Sequence, residues 1–296
     1  MSSLKIGIAA KTAISWPTSQ LLEALAKRGV DRFVFPLSKV ALSVEGNGVK
    51  AQAFGVDLSS LDAVIVRPIG RSTLDQGIFR LDILHTLERL GVVVINKPSA
   101  IERAVDKFQA LSILAEHGVK VPKTVVTEEP DEAIRALKAF NVDAVLKPLF
   151  GSRGIGVSRL VDEDVAERIF RTLKYMRCVL YVQEFIPHHN RDIRLFVVGD
   201  RVIAGMYREA LNWKTNVAQG AKPKSLKPSE ELAELALRAC KALGCEVAGV
   251  DILEGPDGML VTEVNSQPGW RGLQSVTKVN IAEAIVDYVI EKVKRG

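Results

Sequence analysis

The stretch VLKPLFGSRGIGV, residues 145–157, says more about the fold than any other part of this sequence. It opens as a short apolar strand that carries Lys147 between Leu146 and Pro148. A lysine on a buried strand needs an anion nearby, because an unpaired charge is costly to bury. The strand therefore predicts an anion-binding lysine immediately before a glycine-rich loop.

The loop after Lys147 has the order Gly-x-x-Gly-x-Gly and lies between two strands. Its candidate ligand-binding residues are Gly151, Ser152, Gly154 and Gly156. It matches neither the dinucleotide fingerprint nor the GxxxxGK[ST] phosphate loop. Glycines let the main chain approach phosphates and let a loop open and close. The loop is interpreted as a mobile phosphate cover, and an ordinary flexible hairpin is the alternative.

A second set of polar residues lies on a predicted hairpin near the C-terminus. Glu263 and Asn265 are two residues apart on one strand, so both point to the same face. Asp251 is on the partner strand, and we expect it near the diagonal from Glu263. Like charges this close repel unless a cation lies between them, and all-oxygen ligands suit Mg²⁺. The alternative is a solvated strand face.

Two further features complete the candidate constellation. Residues 182–186 (VQEFI) end an apolar strand with the polar pair Gln183 and Glu184, a common way to hydrogen-bond an adenine edge. Lys107, between Asp106 and Phe108, is a candidate second phosphate lysine, although a solvated helix face explains it equally well. His188 and His189 are interpreted as surface-loop residues.

The first 97 residues alternate between strands and helices, which predicts a parallel sheet. A long helix is then expected over 99–117 with Ser99 as its N-cap, and Gly118 is expected to end it. The last third is richer in strands. Residues 212–227 have weak periodicity and are predicted to be a loop over the site.

Charge and composition limit the function classes. The net charge of +5 raises the possibility of nucleic-acid binding. However, residues 191–227 contain eight basic and three acidic residues, and this difference equals the whole excess. A single basic zone suits an anionic small-molecule site at least as well as a DNA face, and aromatic residues are only 6% of the chain. Nucleic acid is therefore not the expected partner.

The sequence contains no long uncharged apolar stretch and no signal peptide, so no membrane association is expected. The three cysteines, Cys178, Cys240 and Cys245, lack metal-type spacing and are interpreted as buried small residues. A sparse, odd number of cysteines indicates a reducing compartment, so a cytoplasmic location is predicted.

Taken together, these motifs resemble the ATP-grasp superfamily and, within it, the RimK-type amino-acid ligases. The resemblance covers nearly the whole chain. It is specific because several motifs occur in the family order. They are residues 95–98 with 106–108, residues 145–157, residues 182–186, residues 191–194 with 197–200, and residues 249–253 with 263–265.

The resemblance implies an α/β fold of ATP-grasp architecture. An N-terminal parallel α/β domain would occupy 1–97. Two α+β subdomains, 98–183 with the mobile glycine loop and 184–296 with the metal and substrate sites, would enclose ATP. The implied activity is ADP-forming ligation of a carboxylate to an amine through an acyl phosphate. The implied cofactors are ATP and Mg²⁺ or Mn²⁺. Many members form dimers or tetramers, but no interface is identifiable in the sequence.

The resemblance also implies roles for individual residues. The nucleotide would be held by Lys107, Lys147, the glycine loop, Gln183, Glu184, Ile186 and Asp192. The metal would be held by Asp251, Glu263 and Asn265. Arg194, Arg208 and Asn216 would face the acyl phosphate and the amino-acid substrate.

The substrate-binding segments depart from the familiar RimK pattern. Residues 212–222 (NWKTNVAQGAK) lack the usual arginine and glycine pair, and residues 266–274 (SQPGWRGLQ) follow the metal strand. Both segments look most like the archaeal branch that adds L-glutamate to coenzymes such as tetrahydromethanopterin. An anionic carboxylate acceptor is therefore expected. The alternative acceptor is a protein, either a ribosomal tail or a lysine-pathway carrier protein.

Two other function classes are weighed against the ligase. A nucleotide-binding or RNA-binding module would lack a metal ligand or a phosphate lysine, and none is missing. A simple kinase would turn over ATP without glutamate.

Three more residues carry hypotheses about the acceptor. Trp213 or Trp270 is expected to stack on the acceptor, with ordinary core packing as the alternative. Arg67 ends a strand of the first domain, where ligands commonly bind, and is expected to hold an acceptor carboxylate. A surface arginine is the alternative for Arg67.

Overall fold

The computed structural model describes residues 3–70, 72–151 and 154–295, with the main chain alone at Ala218. The N-terminal part contains a parallel sheet in the order β2-β1-β6-β7, next to a small antiparallel sheet in the order β3-β4-β5. Its elements are β1 (Lys5–Ala9), α1 (Trp16–Lys27), β2 (Asp31–Phe35), β3 (Val40–Glu45), β4 (Gly48–Ala53), β5 (Val56–Asp57), β6 (Ala63–Val66), α2 (Leu74–Arg89) and β7 (Val93–Ile95). The predicted parallel sheet is confirmed, whereas the strands of residues 40–57 were not predicted.

The middle part is an antiparallel sheet in the order β10-β9-β11-β8, packed against two helices. Its elements are α3 (Pro98–Val105), α4 (Lys107–Glu116), β8 (Thr124–Thr127), α5 (Pro130–Ala139), β9 (Ala144–Lys147), β10 (Ser158–Leu160), α6 (Glu163–Tyr175) and β11 (Leu180–Glu184). Lys147 is the last residue of β9, and the glycine loop joins β9 to β10.

The last part is a five-stranded antiparallel sheet in the order β14-β13-β12-β15-β16. Its elements are β12 (Arg191–Val198), β13 (Arg201–Glu209), β14 (Lys222–Leu226), α7 (Glu230–Leu243), β15 (Val247–Gly255), β16 (Gly258–Asn265), α8 (Arg271–Gln274) and α9 (Ile281–Arg295). Single 3₁₀ turns occur at Leu37–Lys39, Leu58–Ser60 and Val217–Gln219. The expectation that 212–227 is entirely loop is wrong, because β14 pairs with β13 at the sheet edge.

The predicted long helix over 99–117 is also wrong, because the chain breaks at Asp106. Asp106 has an extended main chain, and its carboxylate accepts hydrogen bonds from the N–H groups of Phe108 and Gln109. It therefore caps a new helix, α4. Ser99 is not an N-cap, because α3 begins one residue earlier, at Pro98, and its cap position is Lys97. Gly118, with φ +69°, follows the end of α4 as expected.

One hydrophobic core joins the two ends of the chain. Ile6 and Leu25 from the N-terminal part pack with Phe196, Trp270 and α9. The C-terminal helix thus lies against α1 and the parallel sheet, although its sequence follows the C-terminal sheet. The domain boundaries after 97 and 183 stay predictions.

Candidate active site

Two lysines from neighbouring elements meet beneath the glycine loop. Lys107 is the first residue of α4, and its Nζ donates to the main-chain oxygen of Gly151 at 2.9 Å and to that of Leu149 at 3.3 Å. Lys147 ends β9, and its Nζ donates to Gln183 Oε1 at 2.6 Å. Neither lysine has a carboxylate within 4.0 Å among the residues that the structure describes.

The electrostatic environment of both lysines favours an anion. The pKa of Lys147 is lowered to about 8, chiefly by burial and also by the charge of Lys107, while the carboxylates of Glu263 and Asp251 oppose this shift. Burial also lowers the pKa of Lys107, with Glu263 and Asp106 opposing. Two desolvated cations that repel each other would gain stability from a polyanion such as a phosphate chain.

Gln183 supports Lys147 from the adjacent strand. Its buried side chain accepts from Lys147, and its Nε2 donates to Thr124 Oγ1 at 2.8 Å and to Tyr181 Oη at 3.4 Å. The expected contact between Gln183 and adenine stays a prediction, and the side chain already has a second task in orienting the lysine.

The segment after β11 has the features of a base-binding hinge. The main-chain N–H of Glu184 bonds to Lys123 O at 2.9 Å, and its carboxylate accepts from Lys123 N at 2.8 Å. This leaves the main-chain oxygen of Glu184 for a ligand. The N–H of Ile186 has no hydrogen bond to any residue in the described ranges. One acceptor and one donor two residues apart match the hydrogen-bonding edge of adenine.

Asp251 and Glu263 lie on the two neighbouring strands of the β15–β16 hairpin. Asp251 lies directly opposite Glu263, and not diagonally as predicted, because the register shifts by one residue beside Thr262. Such a bulge re-aims the side chains that follow it. Asn265 is on the same face two residues further, opposite Gly249.

These three side chains fit a divalent metal by their chemistry. The Asn265 amide is 3.1 Å from Glu263 Oε1, and its other end is 3.3 Å from Arg194 Nη2. The amide nitrogen directed at Glu263 and the oxygen directed at Arg194 satisfy both partners, and a bound metal would favour the oxygen towards Glu263. Burial raises the pKa of Glu263 and the charge of Asp251 raises it further, so a cation would relieve both effects. Within the described ranges, no three His, Cys, Asp or Glu side chains cluster as metal ligands. A metal held here would take the Asn265 amide oxygen as its third protein ligand.

Two buried arginines lie on the same face of the five-stranded sheet. Arg194, opposite Asp251 in the register, donates from Nε and Nη2 to both oxygens of Asp251, the latter at 2.7 Å. Arg208 donates to both oxygens of Asp192, at 2.6 and 2.5 Å, and also contacts Asp251 at 3.0 Å. Burial lowers the pKa of Arg208, but the two carboxylates outweigh burial and raise it. Both arginines are thus held by carboxylates.

Asp192 has all its contacts within the protein. Besides Arg208, its Oδ2 accepts from Thr215 Oγ1 at 2.5 Å. These contacts tie residues 212–222, the predicted substrate loop, to β12. The expected contact between Asp192 and nucleotide stays a prediction.

The glycine loop packs against the substrate loop. Gly154 has φ +70°, and a Cβ there would lie 2.5 Å from Asn216 Oδ1 and 2.7 Å from Gln219 Nε2. Only glycine fits such a close approach with a left-handed main chain. Gly156 also has a positive φ, of +78°. Ser152 lies outside the described residues.

Comparison with known proteins matches this arrangement to one family. Residues 104–289 match the family described as the RimK-like ATP-grasp domain, and residues 4–101 match the RimK PreATP-grasp domain. The chain belongs to the RimK-like ATP-grasp family. The predictions of family, of α/β ATP-grasp fold and of an ADP-forming ATP-grasp ligase are thereby confirmed.

Two relatives of this RimK-like chain and one solved structure illustrate the match. The tetrahydromethanopterin:alpha-L-glutamate ligase of Methanococcus maripaludis is 37% identical and covers 94% of this chain and 96% of its own. A probable alpha-L-glutamate ligase of Nitrosococcus oceani is 32% identical and covers 99% and 97%. The ATP-grasp ligase PsnB, solved with a minimal precursor, Mg and ADP, has a TM-score of 0.75 at 22% identity and covers 98% of both chains.

The three residues expected to contact the acceptor differ in burial and contacts. Trp270 is 1% exposed and packs between Trp16 and Phe196 in the core, so it cannot stack on an acceptor. Trp213 is half-buried and meets Phe185 of the hinge edge-on at 6.0 Å. Arg67 is buried and is therefore not a surface arginine.

Other sequence interpretations are corrected or extended. His188 is buried and bonds to Arg191 O at 3.2 Å, so it is not a surface residue, whereas His189 is exposed. Cys240 and Cys245 are buried as expected, and Cys178 is half-buried. Among the helices of the described chain, none combines the length and the apolar character that crossing a membrane requires.

Three residues of this RimK-like site were not predicted as functional. They are Thr124, Thr215 and Asn96. Asn96 is buried and donates to Val247 O and Ser266 O, while its Oδ1 accepts from the N–H groups of Glu246 and Val247. In the sequence, only the position of Asn96 just before Lys97-Pro98 could have indicated its role. Its bonding partners are 150 to 170 residues away along the chain.

Proposed function

We propose that this RimK-like protein joins the amine of L-glutamate to a carboxylate of a coenzyme such as tetrahydromethanopterin, using ATP and Mg²⁺. The observation that carries the proposal is the convergence of Lys107 and Lys147 with the face that bears Asp251, Glu263 and Asn265. Two lysines suited to phosphates thus lie near three oxygen-bearing side chains suited to a metal, which supports a nucleotide site between them.

Glutamate as the amine is supported by both relatives, whose names share alpha-L-glutamate although their sequences come from an archaeon and a bacterium. The coenzyme acceptor rests on the archaeal relative and on residues 266–274, which resemble that branch.

The nucleotide would lie between the middle and the C-terminal sheets. Lys107 and Lys147 would neutralise its phosphates, and the loop through Gly154 would exclude water from them. Glu184 O and Ile186 N would hold the adenine edge. Mg²⁺ on Asp251, Glu263 and Asn265 would supply charge neutralisation at the phosphates.

The reaction requires two transfers. A carboxylate oxygen of the acceptor attacks the terminal phosphorus of ATP, the bond to the ADP oxygen breaks, and an acyl phosphate forms. The glutamate amine then attacks the acyl carbon, the bond to phosphate breaks, and the nitrogen loses its proton. Arg194 and Arg208 lie beside Asp251, where they would stabilise the negative charge that develops on transferring oxygens. Fixed carboxylate partners hold both guanidinium groups in place for this task.

The test combines purified protein, ATP, Mg²⁺ and L-glutamate with tetrahydromethanopterin, and in parallel with a ribosomal tail peptide and a carrier protein. Products are identified by mass spectrometry. One acceptor should gain a glutamyl unit with formation of ADP, and tetrahydromethanopterin is the expected one. Glutamylation of a protein acceptor instead would assign the alternative acceptor.

The matched control is Lys147→Ala, which should abolish product while the protein stays folded. ATP turnover at the same rate without glutamate would point to a kinase and contradict the proposal. Formation of AMP in place of ADP would contradict it as well.

A further inference from the structure

Arg67 is a buried cation that has no carboxylate partner within the described part of the chain. It follows β6 at the carboxyl end of the parallel sheet, and its residue surface is 7% exposed. Its Nη2 donates to Pro268 O at 3.0 Å, and its guanidinium carbon lies 4.6 Å from the centre of the Trp270 ring. Among the residues that the structure describes, these are the only polar or ring contacts of the Arg67 side chain.

Three described arginines of the five-stranded sheet are paired with carboxylates. Arg194 is paired with Asp251, Arg208 with Asp192, and Arg191 with Glu254 at 2.6 Å. Burial lowers the pKa of Arg67 to about 10, which still leaves it charged at neutral pH. An uncompensated buried charge opposes folding, so its presence is better explained by a ligand than by stability.

A second observation lies in the segment that Arg67 touches. Gln267 Nε2 and Trp270 Nε1 are buried and have no hydrogen-bond acceptor within the described chain. Both residues flank Pro268, whose oxygen receives the Arg67 bond. Two buried donors on either side of Pro268 thus lack acceptors in the described chain, and the Arg67 guanidinium bonded to Pro268 O has no carboxylate partner there, an arrangement that an anionic oxygen ligand would complete.

We propose that Arg67, with the segment 267–270, binds an acidic group of the acceptor other than the carboxylate that is activated. The proposal rests on the proposed function, and it specifies an acceptor with at least two acidic groups.

The position of Pro268 explains why the two acidic groups would be distinct. Pro268 lies near both arginines, because its oxygen accepts from Arg67, while a Cβ on the neighbouring Gly249 would lie 3.2 Å from Pro268 Cβ and 2.7 Å from Arg194 Nη1. Arg194 belongs to the face that bears Asp251 and the other metal-type oxygens, where activation is expected. Arg67 belongs to the parallel sheet, and exposed Lys11 follows the neighbouring strand β1. The acceptor would therefore extend from the C-terminal sheet towards the N-terminal one.

The experiment compares wild type, Arg67→Gln and Arg67→Lys, with the exposed Arg32→Gln on β2 as the control. Tetrahydromethanopterin is the acceptor, and KM is measured separately for acceptor, glutamate and ATP. Arg67→Gln should raise the acceptor KM by about tenfold or more, and leave the KM for glutamate and ATP unchanged. Arg67→Lys should recover part of the loss, and Arg32→Gln should match wild type. An unchanged acceptor KM, or a rise in the glutamate KM alone, would overturn the proposal.

Thermal unfolding of the same variants tests the proposal without turnover. A ligand-binding cation that opposes folding predicts an unchanged or higher Tm for Arg67→Gln. A lower Tm in Arg67→Gln but not in Arg32→Gln would mean that Arg67 holds Pro268 and Trp270 in place, and would overturn the proposal whatever the acceptor. If wild type fails to turn over tetrahydromethanopterin while Arg67→Gln is more stable, the coenzyme acceptor is wrong and the anion site is supported.

Discussion

Lys147 shows how one residue combines strand position, burial and charge. It ends β9, bonds to Gln183 and lies near Lys107, and these surroundings bring its pKa to about 8. A phosphate chain would raise this pKa, because an anion stabilises the protonated amine. Removing Lys147 with Lys147→Ala should lower kcat/KM for ATP by about 100-fold or more. Steady-state kinetics would check this, with the remote Lys50→Ala as the control, and a loss below tenfold would contradict it.

The lowered pKa also predicts a pH dependence. Protonated Lys147 binds the phosphates, and the fraction protonated in the free enzyme falls as pH rises through about 8. We expect kcat/KM for ATP to decline above that pH, since this ratio reports groups of the free enzyme. Lys147→Arg keeps its charge at high pH and should lose this decline. A decline of the same midpoint in Lys147→Arg would assign it to another group.

Glu263 is a proposed metal ligand, and its substitution tests the metal site. The pKa of Glu263 is raised by burial and by the charge of Asp251, so its buried surroundings favour a neutral side chain. The neutral amide of Glu263→Gln should therefore fit the site, although an amide binds metal more weakly than a carboxylate. Glu263→Gln should raise the Mg²⁺ concentration for half-maximal activity by about tenfold or more. Magnesium titrations of activity would measure it, with Glu254→Gln on the same hairpin as the control. An unchanged Mg²⁺ requirement would remove Glu263 from the ligand set.

At the scale of elements, two loops close the cleft by contacting each other. The glycine loop meets Asn216 at Gly154, Thr215 binds Asp192 of β12, and Trp213 packs on Phe185 of the hinge. Residues 212–222 are therefore connected to the segment after β11, to the five-stranded sheet and to the glycine loop. Closure of one loop is expected to order the other.

Gly154→Ala tests this contact between the loops. A Cβ at φ +70° is strained and would collide with Asn216 and Gln219, so the closed position should be disfavoured. We expect kcat to fall by about tenfold with little change in Tm, because the loop contributes little to the core. Gly29→Ala, at φ +65° with no atom within 4 Å, controls for main-chain strain alone. Equal kinetic effects in both variants would refute the collision.

At the scale of the whole molecule, the N-terminal and C-terminal sheets share a core and a polar connection. Asn96, directly after β7, bonds to four main-chain groups of residues 246–247 and 266. Helix α9 returns across the parallel sheet and completes the core that contains Trp270. The position of Arg67 relative to the C-terminal sheet depends on this connection.

Asn96→Ala should therefore destabilise the protein globally. It leaves buried main-chain donors and acceptors without partners, which costs about 3 kcal/mol of unfolding free energy. The expected fall in Tm is about 5–10 °C in a calorimetric scan. Asn47→Ala in an exposed turn should leave Tm unchanged. A fall in the Tm of Asn96→Ala of less than about 2 °C would show that water replaces the amide.

Local order in the sequence was enough to predict much of this protein. The alternation of strands and helices predicted the parallel sheet, and the strand with Lys147 before a glycine loop predicted the family together with the later motifs. Strand periodicity also placed Glu263 and Asn265 on one face, because successive side chains alternate between faces. These features depend on neighbours within a few residues.

Tertiary structure decided the rest, because the determining contacts are far apart in sequence. The register that sets Asp251 opposite Glu263 depends on a bulge at Thr262, and the carboxylate partners of Arg194 and Arg208 depend on strand order. The burial of Trp270 and of Arg67 arises only when the two end sheets pack together. Periodicity reports which face a side chain is on, but only the packed chain determines what faces it.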